Sequence, residues 1–303
     1  MLVEGVPVGV ALPVESFMAD IDRRRPKRCG ETPRHEADIP VIEGLDADGR
    51  TTGGMLRIYF KNSNIRSGDY ANLRRQPRPS HADLVQMRKY GEEHDIAGGG
   101  MASGRMTVAL VAAGVVAKAL LPNVEFTTRL VEVGGEREEA KFDDIISRAT
   151  ADGDSVGGVV ECCISGVSEC YGEPFFDSVE SVMAHLLFSI PAVKGVEFGD
   201  GFEGARKRGS ERNDVIINES GATYTNNEGG INGGIANGND IVVRVAIKPT
   251  PSIAKQQMTY NFDEGCVAPL VIGGRHDACI ARRAAVVVES MAAVALADLK
   301  LQL

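Results

Sequence analysis

From Thr107 to Leu121 the chain is apolar almost all the way round, built mainly from Ala, Val and Leu, and Pro122 stops the run. Its length and composition predict a helix. A helix with no polar face cannot lie on a surface, so other elements must cover it on every side. The rest of the chain supplies such cover. Val14 to Arg25 places Val14, Phe17, Met18 and Ile21 at helical spacing before Pro26. Phe142 to Ala151 and Val179 to Ile190 read as amphipathic helices. Cys279 to Leu301 reads as a long terminal helix with Ala284, Val287, Val288, Met291, Ala292 and Leu296 inward. Strands are expected at Met55 to Phe60, Val159 to Ser165, Val193 to Phe198, Ile241 to Lys248 and Met258 to Phe262. They come in groups rather than in strict alternation with helices. That favours an α+β fold with helices packed between antiparallel sheets. No low-complexity linker divides the 303 residues, so one domain over 1–303 is expected.

Bulk properties exclude several functions. A net charge of -9 argues against wholesale binding to nucleic acid or an anionic membrane. No run of eighteen apolar residues exists to span a bilayer. Met1-Leu2-Val3-Glu4 is not a signal peptide, and a cytoplasmic location is the expectation. The six cysteines show no Cys-x-x-Cys spacing and there are only five histidines, so no metal site is expected. Cys162 and Cys163 read as reduced thiols filling a strand. Neither Gly-x-Gly-x-x-Gly after a strand nor Gly-Lys-Ser/Thr is present, so dinucleotide and P-loop readings fail.

What remains is a set of charged constellations. Arg23-Arg24-Arg25-Pro26-Lys27-Arg28 packs five cations into six positions of an acidic protein. It is either a solvated helix end or a site for a small ligand rich in carboxylate and phosphate, whose geometry the guanidinium fork matches. Gly98-Gly99-Gly100 precedes Met101-Ala102-Ser103-Gly104-Arg105 and the apolar helix, which places backbone donors and a cation at a helix start. His81 lies between Arg78 and Asp83; cations nearby would favour its neutral ring, able to take or give a proton. Arg275-His276-Asp277 joins a cation, a titratable ring and a carboxylate. Lys248-Pro249-Thr250 ends a strong strand, with Lys248 and Thr250 expected at a sheet edge. The Gly/Asn-rich stretch 226–239 is a surface loop or a place where backbone approaches a ligand closely.

Further strings follow in order: Gly49-Arg50-Thr51-Thr52-Gly53, Arg66-Ser67-Gly68-Asp69-Tyr70, Arg78-Pro79-Ser80-His81-Ala82-Asp83, Ser189-Ile190-Pro191-Ala192-Val193-Lys194-Gly195-Val196-Glu197 and Gly274-Arg275-His276-Asp277. Together with the arginine cluster, their order along nearly the whole chain resembles the chorismate synthase family. Only the Ser-Ile-Pro-Ala-Val-Lys-Gly-Val-Glu and Gly-Arg-His-Asp strings are specific on their own.

The resemblance implies a sandwich of helices between antiparallel sheets, assembled as a homotetramer. It implies an anti-1,4 elimination of phosphate from 5-enolpyruvylshikimate 3-phosphate, giving chorismate, with reduced FMN as cofactor and NADPH as a candidate reductant for the flavin. On the family's motifs, Arg24, Arg105 and Arg275 should hold anionic ligand. His81 should supply a proton near the flavin N1/C2 side, and Asp277 should lie near N5. Arg24, Met101, Ala102, Ser103, Ala192, Gly233, Lys248, Pro249, Thr250, Pro251, Ser252 and Arg275 should line the FMN. Departures are visible. Met101-Ala102-Ser103 stands where the family has Arg-Ser-Ser, Pro251 where it has Ser, and Ala278 where it has Pro. The second arginine of the anion cluster has no clear match, with Arg28 or Gly30 nearest. The chain begins downstream of the family's Gly-Glu-Ser-His-Gly segment, so part of the first strand and one catalytic histidine are expected to be missing. The alternative reading is therefore a catalytically impaired flavin- and anion-binding homologue acting as a binding or assembly subunit.

Overall fold

A computed structural model describes residues 1–28, 30–32, 37–61, 73–91, 97–274 and 276–303. In chain order the first elements are β1 (Leu2–Val3), α1 (Val14–Arg24), β2 (Pro40–Glu43), β3 (Leu56–Phe60), α2 (Asp83–Tyr90) and α3 (Thr107–Ala119). Next come β4 (Glu125–Val133), α4 (Phe142–Ala151), β5 (Gly158–Ser165), α5 (Val179–Leu187), β6 (Val193–Phe198), α6 (Gly201–Gly204) and α7 (Gly209–Arg212). The chain ends with β7 (Ile231–Asn232), β8 (Ile235–Ala236), β9 (Ile241–Ile247), β10 (Gln257–Asn261), β11 (Cys266–Leu270) and α8 (Ala281–Gln302).

Four strands form an antiparallel sheet in the order β4-β5-β9-β6, and β1-β3-β2 form a second antiparallel sheet. The hairpins β7-β8 and β10-β11 complete the described pairings. In β9 the residues Ile241, Val243, Val245 and Ile247 are all buried while their neighbours are less so, the period of two that turns one face of a strand inward. That face meets the helices. α8 packs on β4 and β5, on α5 and on α3; α3 packs on α1 and β3, and α1 on β2. The helices thus lie between the two sheets, as the apolar run at Thr107 requires. Val108, Val111, Ala112, Val115 and Val116 of α3 are all buried.

The helices α3 and α8 approach each other closely. A Cβ added at Gly114 would lie 2.6 Å from Ser290 Cα and 2.3 Å from its Cβ. Ser290 is fully buried and its hydroxyl donates to Val286 O at 2.7 Å, so a small polar residue sits there without an unmet hydrogen bond. Gly114→Ala forces the helices apart, and overpacking of this kind costs about 1–3 kcal/mol. Urea unfolding should show that loss even though alanine is the better helix former; an unchanged midpoint would mean that the interface has room the geometry does not reveal.

Behind the same layer, Glu289 of α8 accepts both Arg23 Nη1 at 2.7 Å and Nη2 at 2.6 Å, and also pairs with Lys118 of α3. Burial alone would raise the Glu289 carboxyl; Arg23 and Lys118 instead hold it below the ordinary carboxylate range. The buried charge ties α1, α3 and α8 together.

One strand goes unread in the sequence, and one expectation is corrected. β4 carries no strong sequence signal, because in Glu125–Val133 charged and hydroxyl residues break up the apolar alternation. The first residues form a two-residue strand: Leu2 pairs with Arg57 and Val3 with Leu56, and the Met1 ammonium donates to Ile58 O at 2.9 Å. Lys248 follows the end of β9, which lies inside its sheet rather than at an edge.

Candidate active site

At one end of the helical layer lies a cavity of about 710 Å³. That falls within the roughly 300–1,000 Å³ usual for a small-molecule site. Its wall is drawn from the end of α1, the turns 101–107 before α3, the segment 188–194 between α5 and β6, the segment 248–252 after β9, and the start of α8. Arg24, Arg25, Arg78, Arg105, Lys194, Lys248 and Arg283 put seven cations in the wall against two carboxylates, Asp38 and Asp277. In a chain of net charge -9 this is a concentrated positive field. Ile190, Pro191, Val193, Ile280, Ala284 and Val287 add apolar surface to the wall.

Helix geometry divides the arginine cluster. Successive residues of a helix turn by about 100°, so neighbours in sequence face different ways. Arg23 goes to Glu289. Arg24, only 5% exposed, turns inward: its Nε donates to Thr107 Oγ1 at 2.8 Å and its Nη2 to Gly104 O at 2.8 Å. Arg25 donates to Ala37 O, and Lys27 pairs with Asp22 at 2.5 Å. Arg105 sits in the 3-10 turn Gly104–Met106, which Ser103 caps by accepting the Arg105 N–H at 3.2 Å. Arg24 and Arg105 converge on Asp38, whose carboxylate lies 3.6 Å from Arg24 Nη1 and 2.5 Å from Arg105 Nη2.

His81 sits at the cavity beside a buried ion pair. Arg78 grips Asp83 with Nε at 2.8 Å and Nη2 at 2.7 Å, and reaches Ser252 Oγ at 3.3 Å. Burial works to raise the Asp83 carboxyl, but the hydrogen bonds from Arg78 and His81 hold it well below the usual carboxylate range. His81 Nδ1 lies 2.7 Å from Asp83 Oδ1 and 3.1 Å from Arg78 Nη2. A nitrogen and an ionised oxygen at 2.7 Å need a proton between them, so Nδ1 carries the hydrogen and donates to Asp83. That fixes the ring and makes Nε2 the nitrogen able to exchange a proton with a ligand. Both charged neighbours named from the sequence, Arg78 and Asp83, reach the His81 ring, and the carboxylate is the nearer of the two.

Lys248 leaves β9 with its N–H donating to Ala192 O at 3.0 Å and its ammonium to Ser80 O at 2.8 Å. Burial and the facing charge of Lys194 lower its pKa. Thr250, Pro251 and Ser252 also reach the cavity. Thr250 Oγ1 is buried with no hydrogen-bond partner among the described residues. Asp277 accepts Arg283 Nη1 at 2.8 Å and the Cys279 N–H at 3.3 Å. Burial pushes its carboxyl up, and Arg283 offsets only part of that rise.

Of the residues expected at a site, Arg24, His81, Met101, Ala102, Ser103, Arg105, Ala192, Lys248, Thr250, Pro251, Ser252 and Asp277 line this one cavity. Pro249 and Gly233 are not in its wall. Gly233 lies in the β7-β8 turn, beside the N-terminal end of α5, whereas the cavity meets the segment after the other end. The glycines around it serve the chain's own packing: a Cβ at Gly199 would lie 2.0 Å from Asn227 O, and one at Gly230 2.5 Å from Asp240 O. Arg275 lies outside the described residues. Asp38, Lys194 and Arg283 line the cavity without having been singled out. Lys194 was within reach of sequence reading, inside the Ser-Ile-Pro-Ala-Val-Lys string; Asp38 carries no local signal. Among the described residues no cluster suits a metal ion, and no helix is long and apolar enough to cross a membrane.

Comparison with known proteins agrees with this geometry. The family profile described as chorismate synthase matches residues 1–301. Chorismate synthase of Chitinophaga pinensis is 50% identical over 300 residues, spanning 99% of this chain and 90% of that protein. The enzyme of the same name from Korarchaeum cryptofilum is 41% identical over 327 residues, spanning 98% and 90%. A crystal structure of chorismate synthase superposes with a TM-score of 0.74 at 26% identity, covering 99% of this chain and 87% of that one.

Proposed function

Because this chain belongs to the chorismate synthase family, we propose that it is a lyase converting 5-enolpyruvylshikimate 3-phosphate to chorismate and phosphate with reduced FMN bound. The observation that carries this reading is a cavity whose wall combines seven cations with a set of apolar residues. A substrate with two carboxylates and a phosphate matches the cations, and a flat heteroaromatic cofactor matches the apolar residues of the wall. The buried hydroxyl of Thr250, without a partner, supports a fit to a group with polar edges.

When bound, reduced FMN would lend an electron as the substrate's C–O bond breaks and recover it afterwards, so no net redox change occurs. The protein's part is binding, orientation and proton handling. Arg24 and Arg105, with Arg275, hold anionic groups of the substrate. Met101, Ala102, Ser103, Ala192 and the segment Lys248 to Ser252 hold the cofactor. Here Met101 and Ala102 stand where the family has side chains that hydrogen-bond, so contact there is apolar or through backbone. His81 exchanges a proton through Nε2 while Asp83 holds Nδ1. Asp277, its carboxyl raised by burial, keeps a proton more readily than an exposed aspartate. Closure of the cations around the ligand excludes water and strengthens each charge contact.

A homotetramer is part of the proposal. Phe175 and Phe176 are 84% and 89% exposed, and Tyr224 81%. Apolar surface of that kind is suited to a second copy. A role for Gly233 at FMN would require it to act from a neighbouring subunit.

The test is anaerobic turnover with reduced FMN and 5-enolpyruvylshikimate 3-phosphate, with chorismate and phosphate both measured. Stoichiometric release of the two is expected. Tight binding of substrate and flavin without chorismate would favour the impaired binding homologue instead. Failure to bind either would reject both readings.

A further inference from the structure

The place where Arg24 and Arg105 converge holds the protein's own carboxylate. Asp38 reaches both guanidinium groups, its side chain is only 4% exposed, and it comes from the segment before β2 rather than from a regular element. Its backbone is left-handed, with φ 45°, a conformation that a residue with a Cβ adopts at a cost. Two other non-glycine residues of the wall, Ser80 and Ala192, share that conformation, and both carbonyls are tied to Lys248. At Asp38 the strained backbone goes with a side chain inserted between two arginines. Arg24 has anchors elsewhere, at Thr107 and Gly104, so it stays in place without Asp38.

We propose that Asp38 is a built-in counter-ion that an anionic ligand must displace, which makes the site selective for groups carrying more charge than one carboxylate. A ligand offering a single carboxylate would exchange one such group for another and gain nothing. A tethered carboxylate also competes at high effective concentration. A phosphate brings more charge and more acceptor oxygens, and so wins the exchange. This deepens the proposed function, on which the ligand carries both kinds of anion, but its test needs neither flavin nor turnover.

Inorganic phosphate and succinate are titrated calorimetrically into the wild type and into Asp38→Asn, which keeps the side chain's shape. If the competent state is a minor fraction of the wild type, removing the competitor tightens binding in proportion. We expect Asp38→Asn to bind phosphate about tenfold or more tightly and succinate more tightly by a similar factor, with phosphate the tighter ligand in both proteins. Without anion the variant should melt below the wild type, and phosphate should restore more of its melting temperature. Unchanged or weaker phosphate binding by a folded variant overturns the proposal, as does no binding to either protein. Should the variant not fold, hydrogen exchange of residues 37–39 in the wild type decides. Saturating phosphate should speed exchange there, and unchanged or slower exchange means that Asp38 stays in its place. Turnover measured separately distinguishes failure of this idea from failure of the proposed activity.

Discussion

Replacement of His81 by alanine is expected to lower turnover by roughly 10²–10⁴-fold, the usual contribution of a positioned proton-transfer group. Substrate affinity should change little. The physical basis is the bond from Nδ1 to Asp83 at 2.7 Å, which fixes the ring and leaves Nε2 as the nitrogen that can exchange a proton. Asp83→Asn should reproduce part of the loss, because it removes the charge that selects the Nδ1–H form while leaving the imidazole in place. Steady-state kinetics under anaerobic conditions separates the outcomes. If Michaelis constants rise while the maximal rate holds, His81 binds substrate and the proton role is wrong.

Arg24 is expected to give the second large effect, on stability and binding together. Arg24→Ala removes the donors to Thr107 Oγ1 and Gly104 O and leaves Asp38 buried with one fewer partner. Breaking one side of a buried ion pair typically costs about 3–5 kcal/mol. Arg24→Lys keeps the charge but not the planar fork, so it cannot serve Thr107, Gly104 and a ligand at once. Denaturant unfolding should rank the proteins wild type, Lys, Ala in falling stability, with substrate affinity in the same order. A lysine variant equal to wild type in both would show that charge alone matters at this position.

The neighbouring arginines show how far sequence reading reached into the site. That Arg23, Arg24 and Arg25 stood together was visible at once, and an anion site was one of two readings. Residue chemistry did not separate them, and only the family's motifs pointed to Arg24; which of them turns inward depends on where α8 and α3 lie around α1. Glu289, far along the chain, takes Arg23 away into a structural pair. The strand at Ile241 was legible from its β-branched alternation, yet its place inside the sheet was not, so Lys248 was assigned to an edge that it does not occupy. Gly233 lies in a glycine-rich stretch whose flexibility is used for close backbone packing, away from the cavity.

From the sequence alone follow the elements whose pattern is local. A run without a polar face must be buried, alternation of two makes a half-buried strand, and proline ends a helix; each depends on residues a few positions apart. The order of short motifs along the chain belongs to the same kind of information. Tertiary structure alone decided the pairings across the chain: Asp38 between Arg24 and Arg105, Glu289 against Arg23 and Lys118, Ser290 against Gly114, and Lys194 near Lys248. These contacts arise because packing one buried helix between two sheets brings distant segments to the same end of the layer. No local period encodes which charges then meet.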